Sequence, residues 1–373
     1  SLLIYGAVGP IVGRMADRWG PRGVLIGAAV LLGIGALASA AVTSVWQLYL
    51  TAGVVTALGA GGAAMSVAAS LATRWFEERR GFALGVAGGG MAAGQLVIVP
   101  LLMMFTLTWG WRLSYVVLGV GFLLLILPIT LLMIRNNPQD LGLIPYGATA
   151  ATSGPVDGTV ERTGILAAAR TMPFWLLAGS FWVCGYTTSG LVLTHLIPHA
   201  AEHGFHAGHA AQAIGVMGAL NIVGTVASGW LSDRFGPRLP LAAYYLLRGV
   251  SLVALPFVGT VPGLFAFAAI FGLNYISTVP PTTALTAMTY GRYSVGELSG
   301  WIFLSHQLGA AVGSIVGGLL YDRFGNYTIA FHSAAALAFL ATAMVLAIRE
   351  RPVRGRPQQR FDHPQPAPSA AGP

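Results

Sequence analysis

The stretch GRMADRWGPR, from Gly13 to Arg22, decides the fold because it recurs as GWLSDRFGPR from Gly229 to Arg238, 216 positions later. Six of the ten positions are identical, including the Asp-Arg pair and the final Gly-Pro-Arg. Both copies lie between long apolar runs. A repeat of this kind in a membrane chain predicts a protein built from two related halves, as many transporters are.

The composition excludes a water-soluble globular protein. Of the 373 residues, 55% are hydrophobic and only 9% are charged, and the mean hydropathy is +0.72. Soluble domains typically contain about 25% charged residues. The chain is therefore expected to lie in lipid. Its single cysteine, Cys184, excludes an internal disulfide framework.

The positive charge is distributed as in a multi-pass membrane protein. A formal charge of +8 comes from 20 arginines without any lysine, and 17 of them lie in alternate connections or in the tail. The opposite connections hold only Arg112 and Arg323. This asymmetry follows the positive-inside rule. It predicts a protein of the cell (inner) membrane with a cytoplasmic GRMADRWGPR connection and a cytoplasmic C-terminus, and it argues against a nucleic-acid partner.

Ten apolar runs are long enough to cross a hydrocarbon layer of ~30 Å as helices. Residues 1–13 are also apolar, but they would extend only about 20 Å as a helix. The second half carries a complete helix before the one that ends in DRFGPR, so we expect this chain to lack the matching first helix and the start of the second. The ten runs lie near residues 23–42, 46–73, 82–105, 111–134, 173–199, 209–232, 239–258, 263–289, 299–320 and 327–348.

These runs predict an all-α membrane protein with four regions. Between the halves, RNNPQDLGLIPYG ends a helix with Asn, Pro and Gly, and a small, polar stretch follows it. The tail is rich in Arg, Pro and Gln, which is typical of disordered segments. The regions are an N-terminal transmembrane bundle over 1–134, a cytoplasmic linker over 135–172, a C-terminal transmembrane bundle over 173–349 and a disordered cytoplasmic tail over 350–373.

The duplicated connection and the twelve spans expected in two halves resemble the major facilitator superfamily. PQDLGLIPYG (138–147), LTHLIPHAAEHG (193–204) and SHQLGAAVGSIVGGLLYDRFGNY (305–327) resemble its oxalate:formate exchanger and monocarboxylate porter branch. The resemblance implies two six-helix bundles that rock about a central site, with eleven of the twelve segments in this chain. One departure is that the eighth helix of that branch typically carries a basic residue, whereas residues 210–230 hold no charge.

Arg248 and His306 are the candidate cations of a central site. Arg248 lies about nine residues into its span, where a guanidinium facing lipid would cost about 3 kcal/mol or more. It is either an anion-binding or gating cation or a structural arginine that satisfies backbone carbonyls. His306, beside Gln307, could hold a proton or face a carboxylate. The alternative for His306 is a neutral ring that is hydrogen-bonded to a neighbouring helix.

A predicted helix break supplies further candidates. Asn274 and Tyr275 precede the pair Pro280 and Pro281, which must break or kink the helix and free backbone groups for a ligand; a packed kink is the alternative. Tyr5 and Asn221 are repeat partners, so we expect both to face the cavity if either does. The candidate substrate-binding residues are Tyr5, Asn221, Arg248, Asn274, Tyr275, His306 and Gln307.

The repeated Asp-Arg pairs are candidate gating residues. Asp17 with Arg18, and Asp233 with Arg234, could pair across the half or cap a helix end and so hold the cytoplasmic side shut. The alternative is that the arginines only determine topology. The acid in each copy favours the latch, because acids add nothing to the positive-inside signal.

Together these features predict a secondary active transporter of small organic anions, mono- or dicarboxylates, that works by alternating access as an antiporter or symporter. None of the twelve acids falls within a complete span. The alternatives are an exporter of amphipathic compounds and a receptor or scaffold that kept the fold. We expect a monomer with an organic anion, a proton and membrane lipid as partners. No catalytic residues, cofactor or metal are expected, although His199, His203, His206 and His209 cluster in one connection.

Overall fold

The structure, a computed structural model, describes residues 2–148 and 163–349, and these residues form long helices without a strand. Residues 149–162 of the predicted linker and the whole predicted tail lie outside the described residues. In the first half the helices are α1 Leu2–Trp19, α2 Pro21–Ala40, α3 Val45–Trp75, α4 Arg80–Trp109 and α5 Trp111–Met133. In the second half they are α6 Met172–Glu202, α7 Gly208–Phe235, α8 Arg238–Phe257, α9 Val261–Tyr290, α10 Val295–Phe324 and α11 Thr328–Leu346.

The all-α membrane fold predicted from the sequence is confirmed. Ten helices, α2 to α11, are long and apolar enough to cross a membrane among the residues that the structure describes. They coincide with the ten predicted runs, with ends that differ by a few residues. Two short elements lie in the predicted linker: a 3₁₀ turn at Pro138–Leu141 and a single helical turn at Ile165–Ala168.

The repeated stretch is mostly helical, which corrects the prediction that it is a connection between helices. α1 continues to Trp19, and only Gly20, with φ of 97°, separates it from α2. α7 likewise ends before Gly236, with φ of 77°. Charged residues do not end a helix, because its backbone hydrogen bonds are internal. The chain turns where glycine allows a positive φ. The Arg-rich side, as used below, is the side of the bundle on which these two turns lie.

The most extensive contacts between the two halves are two helix crossings with glycines on the Arg-rich side, α1 with α10 and α4 with α7. Both crossings depend on glycine. A Cβ atom on Gly13 would lie 2.1 Å from the carbonyl oxygen of Gly296, and one on Gly229 would lie 2.1 Å from that of Gly81. Because Gly13 and Gly229 are repeat partners, the same position allows close backbone approach in each half.

The break predicted in α9 is present. The helix stops after Asn274 and resumes at Val279, and residues 275–278 between them are not helical. Pro280 and Pro281 fall in the first turn of the resumed helix. Proline is tolerated there because those N–H groups have no helical acceptor. The break leaves backbone groups near mid-membrane that side chains of neighbouring helices must satisfy.

We predict that Gly13→Ala or Gly229→Ala forces the halves apart on the Arg-rich side. Overpacking of this kind typically costs about 1–3 kcal/mol, so the unfolding midpoint in detergent should fall in both variants. The matched control is Gly27→Ala in α2, where a Cβ would meet nothing within 4 Å. This control should be neutral or slightly stabilising. Equal midpoints in all three variants would contradict the assigned role of the crossings.

Candidate substrate site

A cavity of about 590 Å³ lies between the two halves, with walls from α1, α3 and α4 on one side and α6, α9 and α10 on the other. Four of the seven candidate substrate-binding residues line it: Tyr5, Tyr275, His306 and Gln307. No Asp, Glu or Arg is among its described lining residues. The cavity therefore has polar groups but no built-in carboxylate.

His306 is held in a fixed environment at the cavity wall. Its Nδ1 lies 3.0 Å from Oε1 of Gln307. Its ring is nearly parallel to that of Phe303, with centroids 5.6 Å apart, and lies 5.0 Å from the ring of Phe181. His306 is the one histidine among the described residues that line this cavity.

Arg248 is fully buried behind the cavity wall. Its Nε donates to Oδ1 of Asn274 at 3.1 Å, and its Nη1 donates to Sγ of Cys184 at 3.1 Å and to Oγ1 of Thr187 at 3.3 Å. Its Nη2 donates to the backbone carbonyls of Asn274 and Tyr275. These contacts match the structural alternative, because Arg248 satisfies carbonyls that the break in α9 sets free. It does not touch the cavity in this conformation.

The charge of Arg248 nevertheless lies close to the cavity. Cys184 and Tyr275 both contact the guanidinium and line the cavity. None of the five acceptors described above is a carboxylate. A cation that is buried without a carboxylate partner keeps its electrostatic influence, because the surrounding protein screens it weakly. The cavity wall is therefore backed by positive charge.

Asn221 and Asn274 support the break in α9 rather than line the cavity. Oδ1 of Asn221 accepts the backbone N–H of Ile276 at 3.0 Å, and Asn221 is only 3% exposed. Asn274 is fully buried between Arg248 and its own helix. The expectation that Tyr5 and Asn221 face the cavity together is therefore not met in this conformation. The break in α9 gives Asn221 an N–H group to satisfy.

Asp17 joins the two halves on the Arg-rich side. Its carboxylate accepts the backbone N–H groups of Gly296 at 3.1 Å and Glu297 at 2.8 Å, at the start of α10. Ser70 donates to the same carboxylate at 2.9 Å. Nη2 of Arg74 donates to the backbone carbonyl of Asp17 at 2.8 Å. A negative charge at a helix N-terminus is stabilised by the helix dipole and by the free N–H groups.

Asp233 makes the equivalent contact in the second half. Its two carboxylate oxygens accept the N–H groups of Gly81 at 2.8 Å and Phe82 at 2.7 Å, at the start of α4. Arg18 and Arg234 are exposed, and each lies over a neighbouring tryptophan ring, at 5.8 and 5.5 Å. Of the two forms predicted for the latch, the structure contains the helix cap.

The sequence profile of the Major Facilitator Superfamily matches residues 1–261 and 213–371, which together cover almost the whole chain. This chain belongs to the Major Facilitator Superfamily. It is accordingly a multi-pass membrane transporter, and the predicted family is confirmed.

Superfamily members with similar sequences span most of the chain. The uncharacterized MFS-type transporter YcxA of Bacillus subtilis (strain 168) is 26% identical over 359 residues, which cover 92% of this chain and 82% of that protein. Monocarboxylate transporter 11 of Mus musculus is 29% identical over 343 residues, which cover 89% and 73%. The branch indicated by the motifs is thus found among its relatives.

Solved structures of the superfamily share the fold. The E. coli fucose:proton symporter FucP aligns with a TM-score of 0.70 at 18% identity, over 93% of this chain and 88% of that one. The human organic anion transporter MFSD10 (TETRAN) aligns with a TM-score of 0.67 at 14% identity, over 92% and 81%. At such identities the likeness shows the fold alone.

The lining residues that sequence reasoning missed include Cys184, Phe181 and Phe303. A signal was available, because Phe303 precedes His306 by one helical turn. Residues three and four apart share one helix face, so extending the face of His306 identifies Phe303. Cys184 and Phe181 are related by the same spacing on α6, but the segment Met172–Gly185 of that helix carries no charged residue from which to begin the search.

We predict that Arg248→Lys destabilises the protein although the charge is kept. A lysine lacks the planar fork that reaches Asn274 and Tyr275 together, and an unpaired buried carbonyl costs about 1–3 kcal/mol. The unfolding midpoint in detergent should fall, and Arg248→Met should lower it further. The control is Arg323→Lys, at an exposed arginine of α10. A midpoint unchanged by Arg248→Lys would show that the fork is dispensable.

Proposed function

We propose that this protein is a secondary active transporter of small organic anions, with carboxylates as substrates, that works by alternating access at the cavity between its halves. The observation that carries the proposal is the charge of that cavity. Its described lining contains His306 and no carboxylate, and Arg248 lies directly behind Cys184 and Tyr275. An anion is the ligand that such a wall favours.

The energetic argument rests on an imbalance of buried charge. A buried cation without a carboxylate partner is costly. Two opposite unit charges attract by about 4 kcal/mol at 4 Å when the effective dielectric constant is near 20, and by less at longer distances. A carboxylate bound beside His306 would gain part of this energy from Arg248 without touching it. It would gain more if His306 is protonated.

The same imbalance favours coupled transport over uniport. The empty cavity leaves positive charge uncompensated, so the loaded carrier should change conformation more easily than the empty one. Two modes of transport avoid a step in which the empty carrier holds a charged histidine. One is exchange of one anion for another, and the other is uptake of an anion together with a proton on His306. Tyr5, Tyr275 and Gln307 would orient the substrate from the remaining walls.

Alternating access needs a contact that opens and closes, and we assign that role to the Arg-rich side. The two glycine crossings and the helix caps of Asp17 and Asp233 close this side, while the cavity lies beyond them. Arg18 and Arg234 next to them supply the positive charge that favours a cytoplasmic location. In this proposal the protein lies in the cell (inner) membrane and is closed toward the cytoplasm. Its C-terminus lies on the cytoplasmic side.

A second candidate function is export of amphipathic compounds. It is supported by the apolar part of the cavity, where Met65, Met91, Phe181 and Phe303 lie. It is weakened by the lack of an acid among the described lining residues, since a lipophilic cation would meet positive charge. The two candidates therefore differ in the charge of the molecule that they bind.

Anion counterflow in proteoliposomes of the full-length protein tests the proposal. Vesicles loaded with unlabelled lactate should accumulate labelled lactate, and the rate should be higher at acidic than at alkaline pH, because a protonated imidazole favours the anion. His306→Ala should reduce lactate binding about tenfold, the equivalent of 1.4 kcal/mol, and abolish this dependence on pH.

The matched control is His209→Ala, at a histidine near the start of α7 that is not among the lining residues of the cavity. Its counterflow and pH profile should remain those of the unmodified protein. Flux that ignores carboxylates and follows lipophilic cations would refute the proposal and favour the exporter.

A further inference from the structure

The cavity is layered along the membrane normal. α6 and α10 both begin on the Arg-rich side, so lower residue numbers in them lie nearer to that side. Phe303 therefore lies one turn closer to the Arg-rich side than His306, and Phe181 lies one turn closer than Cys184. The rings of Phe181 and Phe303 are 6.5 Å apart. The aromatic floor of the cavity is formed by Met65, Phe181, Val279 and Phe303.

The aromatic floor is ordered by contacts with the polar layer above it. The ring of Phe303 meets that of Tyr5 edge-on, with centroids 5.4 Å apart and an interplanar angle of 89°. The plane of the Phe303 ring is nearly parallel to the ring of His306. Phe303 is thus held between a residue of the first half and one of the second. Aromatic rings favour such offset and edge-on neighbours at about 4.5–7 Å, so another ring could join this cluster.

The floor ends the cavity on the Arg-rich side. The next void is only about 20 Å³ and borders Ser66, Thr282 and Ser299. That is room for about one water molecule. A substrate must therefore stop at the aromatic floor, with its apolar part against these rings. The charged part can then lie one turn higher, at His306 and Gln307.

The volume of the cavity also indicates a substrate that is larger than a short-chain acid. Pockets for drug-sized ligands typically measure about 300–1,000 Å³, and this cavity of about 590 Å³ falls within that range. An acid of two or three carbons has at most a methyl group to place against the floor. A second carboxylate placed there would lose its hydration without a partner.

We infer that the substrate is a monocarboxylate with an aromatic or similarly bulky apolar body, which lies on the aromatic floor while its carboxylate meets His306 and Gln307. This inference rests on the proposed function and narrows its substrate class. Phe181 and Phe303 determine specificity for the apolar body of the substrate. His306 and the positive charge of Arg248 behind the wall determine specificity for the carboxylate.

Binding of three matched probes to the purified full-length protein tests the inference by calorimetry. The probes are 3-phenyllactate, lactate and 2-phenylethylamine, which separate the ring from the charge. Because burial of a phenyl ring is strongly favourable, 3-phenyllactate should bind at least about tenfold more tightly than lactate. 2-Phenylethylamine should bind more weakly than either acid.

Two variants test the floor itself. Val279→Phe fills the floor and should lower the ratio of 3-phenyllactate affinity to lactate affinity to about threefold or less, since the ring is excluded. Phe303→Leu keeps an apolar side chain but removes the ring, and should lower the ratio as well. Val223→Phe, at a position of α7 that is 57% exposed and outside the cavity lining, should leave the ratio unchanged.

The outcomes separate the inference from the proposed function. Lactate that binds as tightly as 3-phenyllactate would overturn the inference and leave the anion transporter standing. Binding of 2-phenylethylamine without either acid would overturn the proposed function and the inference with it. An unchanged ratio in both floor variants would show that the rings do not contact the substrate.

Discussion

Close contact between backbones at two glycine crossings is the constraint on which the rest of the structure depends. Gly13 against Gly296 and Gly229 against Gly81 leave no room for a Cβ atom. This approach brings Asp17 within hydrogen-bonding distance of the N-terminus of α10, and Asp233 makes the matching contact with α4. Because these contacts lie at one end of the helices, the halves are joined there and enclose a cavity farther along.

The second organising feature is the break in α9, which explains why a charged residue is buried in this fold. The free carbonyls of Asn274 and Tyr275 need donors, and Arg248 supplies several from one side chain. The side chain of Arg248 thus stabilises the break in α9, and it also brings a positive charge into the interior of the protein. In our account the transporter uses that charge: a structural cation, with His306 beside the cavity, makes the site suited to anions.

The sequence was sufficient for the fold because each span is long and apolar and the repeat pairs the two halves. The Asp-Arg motifs and the proline pair also predicted real features, the helix caps and the break in α9. The sequence was insufficient to predict the site, because a helix inside a bundle can present a residue either to the cavity or to other helices. Arg248 and Asn221 are buried against other helices and do not line the cavity. Apolar residues such as Phe181 cannot be told from core packing by type alone.

The central claim is that anion binding in the cavity is coupled to opening of the Arg-rich side. Spin labels at Gly23→Cys and Leu239→Cys, repeat partners at exposed positions beside the two turns, would report the distance between the halves. Our account predicts that a saturating carboxylate adds a longer-distance population in double electron–electron resonance, whereas 2-phenylethylamine does not. A distance distribution that no carboxylate alters, or that only the amine alters, would contradict it.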